Sequence, residues 1–413
     1  MNTEEKTRSG VQEIKNNVLQ LIDLSRETGD EELYSIIDAE IKSFCSGKPL
    51  NVIERRRLRK EVFSSIRELD VLQPLLEDEN VTEIMVNGPD DIFVERLGQI
   101  KRYEDSFSSR SKLEDVIQQI VAGCNRSVNE ANPIADARLK SGARVNIVLS
   151  PVALNGPAIT IRRFPNERIT MDKLIDLNAL SLEVAEFIKK LVISGYNIFI
   201  SGGTGSGKTT FLNALSDFIP ADERIITIED NAELQITHIP NIVKMETRKQ
   251  QIEDCKEISI RDLIKSSLRM RPDRVIVGEV RGAEVIDMLQ AMNTGHDGSM
   301  STGHANSASD MLTRLETMFL MGMDIPLLAA RGQVAGGIDI IVHLGRLRDG
   351  SRKVLEIVEI IGDMYDSAEK IKTNTLYKFK ENGVFENGSI KVVWEKENEI
   401  RNRTKLIAKG VGI

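Results

Sequence analysis

Tyr196-Asn197-Ile198-Phe199-Ile200-Ser201-Gly202-Gly203-Thr204-Gly205-Ser206-Gly207-Lys208-Thr209-Thr210 joins an apolar run to a glycine-rich turn, and the turn opens a helical pattern. Tyr196 to Ile200 predicts a short buried strand. Thr210 to Phe218 has helical periodicity and is closed by Pro220. Between them, Gly202 to Thr209 fills every position of a phosphate-binding P-loop, in the strand–turn–helix context that makes the pattern a site. Glycines allow successive backbone N–H groups to converge on a β-phosphate, and the helix N-terminus adds its dipole. Lys208 is placed to reach the β- and γ-phosphates, and the Thr209 hydroxyl to ligate Mg²⁺. Gly202 through Thr210 are therefore the expected contacts to a bound nucleoside triphosphate.

Outward from this loop, residues 168 to about 355 alternate strand and helix patterns, which predicts an α/β fold with a parallel sheet and crossover helices. Arg224-Ile225-Ile226-Thr227-Ile228-Glu229-Asp230 reads as a strand ending in two carboxylates. Ligands of open α/β sheets sit at the carboxyl ends of strands, so Glu229 is expected to supplement the metal shell begun by Thr209. Asp230 could cap a helix start over Asn231 to Glu233 and still face the site. Arg274-Val275-Ile276-Val277-Gly278-Glu279 is a second such strand. Gly278 stands where a metal-holding aspartate usually ends the strand. That leaves room for water or for an acid from a neighbouring strand. Glu279 is the candidate to polarise the attacking water. His296 and His304 lie eight residues apart around Gly298-Ser299-Met300-Ser301-Thr302-Gly303, too far apart for zinc on one helix face. His304, at the end of a strand, is the candidate sensor of the γ-phosphate.

At 413 residues the chain has room for two or three domains. Its 41% hydrophobic and 29% charged content are those of an ordinary globular protein. No run approaches the roughly 18 apolar residues of a membrane span, and the polar start MNTEEKTRSG lacks a signal segment. A cytoplasmic location is expected, with any membrane association made through partners. The net charge of −8 disfavours nucleic acid as the main ligand. Cys45, Cys124 and Cys255 form no pair that suggests a disulfide framework or a zinc site.

Four regions are expected: a helical extension over residues 1–70, an α+β domain over 71–164, the P-loop domain over 165–355, and a C-terminal tail of weak periodicity over 356–413. Helical spacing marks Val18, Leu21 and Ile22, then Ile36, Ile37 and Ile41. The cluster Arg55-Arg56-Arg57-Leu58-Arg59-Lys60 reads as a solvated helix face, or as a surface for anionic lipid or an acidic partner. Val81 to Asn87, Ile92 to Glu95, Arg144 to Leu149 and Ala158 to Arg163 read as strands. Phe164 to Arg168 reads as a linker.

The P-loop, the acidic strand end at Glu229, the atypical strand end at Glu279 and the histidine segment resemble, in that order, the ATPases of type II and type IV secretion systems. Val81-Thr82-Glu83-Ile84-Met85-Val86-Asn87-Gly88-Pro89, Asp136-Ala137-Arg138-Leu139, Ser141 to Asn146, Ile159 to Phe164 and Arg346 to Arg352 resemble the CpaF/TadA-type branch. The branch drives assembly of Flp (tight-adherence) pili. The resemblance implies a RecA-like core, a PAS-like N-terminal domain and a homohexameric ring. It also implies ATP and Mg²⁺, and a peripheral position at the inner face of the cytoplasmic membrane, beneath an inner-membrane platform protein. It further implies that Arg138 and Arg144 reach the nucleotide phosphates, with Arg162, Arg163 and Arg281 as weaker candidates. A DNA-transfer motor on the same core is the alternative, disfavoured by the acidic balance. The tetracysteine insert found in many pilus-assembly ATPases is missing.

Overall fold

The computed structural model describes Ile14, Asn17, Val18, Leu21 and residues 30–44, 52–67, 69–96, 99–124, 126–139, 141–163, 168–248, 256–365, 370–384 and 390–412. Ile22, Cys45, Cys255 and residues 164–167 of the expected linker lie outside these. The chain divides into two units, Met1–Asn166 and Glu167–Ile413.

The first unit opens with helices α1 (Asp30–Phe44) and α2 (Val52–Arg67). Ile37 and Ile41 share a buried stripe with Leu33, which meets Leu58, Val62 and Phe63; Val18 joins this cluster, whereas Leu21 is exposed. In the basic cluster, Arg59 Nε lies 3.3 Å from an Asp38 oxygen and its guanidinium covers the Tyr34 ring. Lys60 Nζ lies 3.1 Å from Glu77. These two cations thus have acidic or aromatic partners within the chain.

Next come α3 (Gln73–Glu77), β1 (Val81–Asn87), β2 (Ile92–Arg96), β3 (Gln99–Arg102), α4 (Arg110–Gly123), β4 (Ile134–Arg138), β5 (Arg144–Val148) and β6 (Ala158–Arg162). The strands form one antiparallel sheet in the order β3-β2-β1-β6-β5-β4. Ser109 caps α4 by accepting the Lys112 N–H, and the apolar face of α4 (Leu113, Val116, Ile117, Ile120) packs into the core with Ile84, Val145 and Ile161.

The second unit holds α5 (Met171–Asp176), α6 (Leu182–Ile193), β7 (Ile198–Gly202), α7 (Lys208–Ser216), β8 (Ile225–Glu229), β9 (Ile242–Glu246), α8 (Ile260–Ser267), β10 (Arg274–Val277), α9 (Val285–Asn293), β11 (Met300–Gly303), α10 (Ala308–Gly322), α11 (Leu327–Gly337), β12 (Ile340–Arg346), β13 (Arg352–Tyr365), β14 (Ile371–Val384), β15 (Ile390–Lys396) and α12 (Thr404–Ala408). They build a nine-stranded sheet in the order β15-β14-β13-β12-β7-β11-β10-β8-β9. From β12 to β9 every pairing is parallel. Ile198 and Ile200 enter one apolar cluster and Phe199 the other, so the sheet is covered on both faces, as parallel strands require. This is the RecA-like P-loop core, and the α+β sheet and helical extension precede it in the chain.

The boundary expected near residue 355 falls inside β13. Strands β13, β14 and β15 continue the core sheet by antiparallel pairing, and Ile357, Leu376 and Tyr377 are buried in the main cluster with Trp394 against it. The C-terminal segment is therefore built into the core and is not a separate tail. Among the described residues, no helix is long and apolar enough to cross a membrane.

Candidate nucleotide site

β7 delivers the chain to Gly202, and α7 starts at Lys208 from an N-cap, Gly207, in the left-handed region at φ 90°. Gly205 is also left-handed, at φ 70°. Both positions favour glycine because a β-carbon is strained there. The helix begins two residues earlier than the apolar pattern indicates, which brings Lys208 and Thr209 into its first turn. Lys208 is buried, and its Nζ donates to Gly202 O and Gly203 O, both at 3.1 Å. Burial holds its ammonium below the usual lysine range, against the pull of Glu279.

Glu279 follows the end of β10, and His304 follows the end of neighbouring β11. Val280 N donates to Thr302 O (2.9 Å) and the Thr302 hydroxyl to Gly278 O (2.8 Å), which locks the two strand ends together. His304 Nε2 lies 2.8 Å from Glu279 Oε1, and His304 Nδ1 lies 3.3 Å from Lys208 Nζ. Arg281 Nη2 donates to Glu279 Oε2 at 2.7 Å. A lysine ammonium can only donate, so Nδ1 takes the acceptor role and a neutral ring carries its proton on Nε2. The approach of Nε2 to Glu279 Oε1 is close, but that oxygen has no hydrogen-bond partner among the described residues. Burial, and then the charge of Lys208, hold the His304 pKa below the ordinary histidine value. A neutral ring of this tautomer is consistent with both contacts. Lys208, His304, Glu279 and Arg281 thus follow one another at 3.3, 2.8 and 2.7 Å at the P-loop end of the sheet.

Glu229 ends β8 and is buried. One carboxylate oxygen accepts the Glu233 and Leu234 N–H groups at 2.9 and 3.0 Å. A β-carbon on Gly278 would stand 3.0 Å from Glu229 Cγ, so the glycine that follows β10 makes room for this acid. The loop-capping duty considered for Asp230 falls to Glu229: residues 231–233 form no helix, and Asp230 Oδ1 accepts from the Thr247 hydroxyl at 3.3 Å. Thr209 lies in the first turn of α7 and Glu229 ends β8, and hydroxyl and carboxylate oxygens are donors of the kind that suits Mg²⁺. His296 lies before β11 and His304 after it, so the two histidines occupy opposite ends of one strand. His296 Nδ1 lies 3.1 Å from Ala291 O, near the end of α9. No group of three or more metal-ligating side chains occurs among the described residues.

Arg138, Arg144 and Arg162 lie side by side in register on β4, β5 and β6 of the first unit. Arg138 Nε donates to Gly142 O at 3.1 Å. Arg163 Nη1 donates to the carbonyls of Leu75, Asp78 and Val81, an anchorage within the first unit. Sequence reading missed two arginines of the second unit. Arg314, on α10, lines a cavity of about 480 Å³ together with Gly203, Thr204, His304 and Asn306. Arg352, at the start of β13, donates from Nε to Gly205 O at 2.8 Å. Neither stands near the P-loop in sequence, and only its place in a family-like segment set Arg352 apart.

Fold and site define a P-loop nucleotide-binding protein of RecA-like architecture. Residues 66–382 match the model of the type II/IV secretion system protein family, and the chain belongs to that family. It is 34% identical to the conjugal transfer protein TrbB of Rhizobium radiobacter over 296 residues, covering 71% of this chain and 88% of that one. It is 31% identical to the type IV secretion system protein VirB11 of Bartonella henselae over 332 residues, covering 71% and 92%. In fold it is similar to the pilus retraction motor PilT with bound ADP, at a TM-score of 0.51 and 24% identity over 67% of this chain and 77% of that one.

Proposed function

We propose that this chain is an ATP-hydrolysing motor that works as a homohexamer and energises Flp-type pilus assembly or protein secretion through an inner-membrane platform protein. The observation that supports the reading is the close succession of Lys208, His304 and Glu279 beside the P-loop, which sets a cation and a carboxylate on either side of one imidazole. Glu279 orients water for attack on the γ-phosphorus and takes its proton as the bond to the ADP oxygen breaks. His304 links that carboxylate to Lys208, so loss of the γ-phosphate is felt by both. Thr209 and Glu229 would hold Mg²⁺, which would offset the charge on the phosphates. Arg138 and Arg144 stabilise charge developing in the transition state, delivered from the first unit. The motor sits at the inner face of the cytoplasmic membrane through its partners.

A ring closes head-to-tail interfaces without leaving open ones. ATPase activity per subunit should therefore rise steeply with protein concentration, alongside hexamer formation in light scattering. A fully active monomer at every concentration would overturn the ring. In assembled rings, Arg138→Ala or Arg144→Ala should impair hydrolysis more than affinity. Relatives named for conjugal transfer favour a second reading, a DNA-transfer motor. Salt-sensitive stimulation of the ATPase by single-stranded DNA would select it.

A further inference from the structure

On one side of β7 lies β11, followed by His304, and next to it β10, followed by Glu279. On the other side lies β12, which runs parallel to β7 with Leu344 opposite Gly202. Beyond β12 the chain turns tightly. Leu347 N donates to Ser351 O at 2.8 Å, and Gly350 N to Leu347 O at 3.0 Å. Asp349 braces the turn by accepting the Ser351 N–H and, across to β15, the Ile390 N–H, both at 2.9 Å. Arg352 leaves this rigid hairpin opposite Arg346. Its stem passes the P-loop so closely that Cδ lies 3.4 Å from where a β-carbon on Gly207 would stand. Its Nε donates to Gly205 O at 2.8 Å.

We propose that Arg352 is a positioning residue for the nucleotide, holding the P-loop in its binding shape before the phosphates arrive. The proposal rests on the nucleotide-binding reading of that loop. The Gly205 carbonyl and the Ser206 N–H belong to one planar trans peptide, so they point in opposite directions. Fixing the carbonyl outward on Arg352 aims the Ser206 N–H into the loop, where it now makes only a long 3.3 Å contact with Gly203 O. A loop with left-handed glycines at 205 and 207 has little stiffness of its own. A charged donor on a braced hairpin supplies it, which lowers the ordering cost of binding. The Ser206 N–H is then presented to phosphate instead of being reoriented by it.

The test uses the full chain, with a fluorescent ADP analogue for affinity and ATP for turnover. R352A should raise the Kd for the ADP analogue and the KM for ATP about tenfold each, as loss of one exposed charge-assisted hydrogen bond implies. It should lower kcat at saturating ATP by less. R352K keeps the stem along Gly207 and a cationic donor, and should recover most of the affinity. The melting temperature without nucleotide should stay within about 2 °C of wild type in both variants. An unchanged ADP affinity in R352A would overturn the proposal, as would an equal loss in R352K and R352A. Wild-type protein that binds the ADP analogue without hydrolysing ATP would sink the motor reading and leave Arg352 judged by affinity alone. Failure of the wild type to bind the analogue would overturn both.

Discussion

The two ends of the parallel strands treat charge in opposite ways. At the amino ends, Arg274 is buried at 1% exposure, with Nε and Nη2 on the Glu223 carboxylate and Nη1 donating to Val192 O at 2.7 Å. Asp339 accepts the Asn197 N–H and a Lys405 Nζ proton, at 2.8 and 2.7 Å, and Lys405 also meets Asp297. The Asn197 side chain donates to Gly337 O and accepts from Gly298 N and Ser299 N. Each of these charged groups has a partner of opposite charge or a backbone group. At the carboxyl ends, Lys208 leans on backbone carbonyls and a neutral imidazole, and burial lowers its pKa. One end fixes the fold. The other holds charge that only an added anion would fully offset.

The largest expected effects probe the carboxyl end. Glu279→Gln keeps the shape of the side chain but cannot accept a proton, so kcat should fall about 10²–10⁴-fold while ATP stays bound. Loss of ATP binding with folding intact would assign Glu279 to the metal or to structure. Lys208→Ala should abolish turnover and weaken nucleotide binding by about 1.5–3 kcal/mol. Because it removes a desolvated cation, the nucleotide-free protein should be no less stable. A wild-type rate of hydrolysis would mean the phosphate site lies elsewhere.

The amino end should respond in the opposite sense. Arg274→Ala strands the Glu223 carboxylate and takes one donor from Val192 O, which keeps the Gly195 N–H, and should cost about 3–5 kcal/mol of stability in denaturant unfolding. ATPase activity per folded molecule should be nearly preserved. If Arg274→Ala stopped turnover in protein of wild-type stability, the division of labour between the two ends would be false.

How much of this was legible depends on the range of each signal. The P-loop and the strand ends at Glu229 and Glu279 are local patterns, and strand periodicity alone puts them at one edge of a sheet. The surroundings of Glu229 are only partly local: its amide donors lie four and five residues on, but its space comes from Gly278, past the end of β10. The Arg352 contact with Gly205 joins residues 147 apart, so no window of sequence contains it. Strands β13 to β15 were hard to see because their registers shift between Ile357 and Val358 and between Glu381 and Val384, which breaks the two-residue alternation. The first-unit arginines were placed by resemblance, and within that unit they align with one another in register.

The smallest expected effect belongs to the hairpin that carries Arg352, where the comparison can be sharpened by pH. The Asp349 carboxyl is lowered to about 2, first by the Ser351 hydroxyl and then by the Ile390 and Ser351 N–H groups. A depressed acid adds stability that is fully present above its unfolded value, near 3.8, and is lost as pH falls through about 2. Asp349 is an exposed turn residue, so solvent screening keeps that contribution below about 1 kcal/mol. Asp349→Asn should thus melt slightly below wild type at pH 6, and the gap should close as pH drops from about 4 towards 2. Because the turn aims Arg352 at Gly205, the same variant should also raise the KM for ATP at neutral pH, by less than R352A does. A gap in melting temperature that persisted unchanged at pH 2 would show that the carboxylate charge does not brace the turn, leaving Arg352 to hold the P-loop without that support.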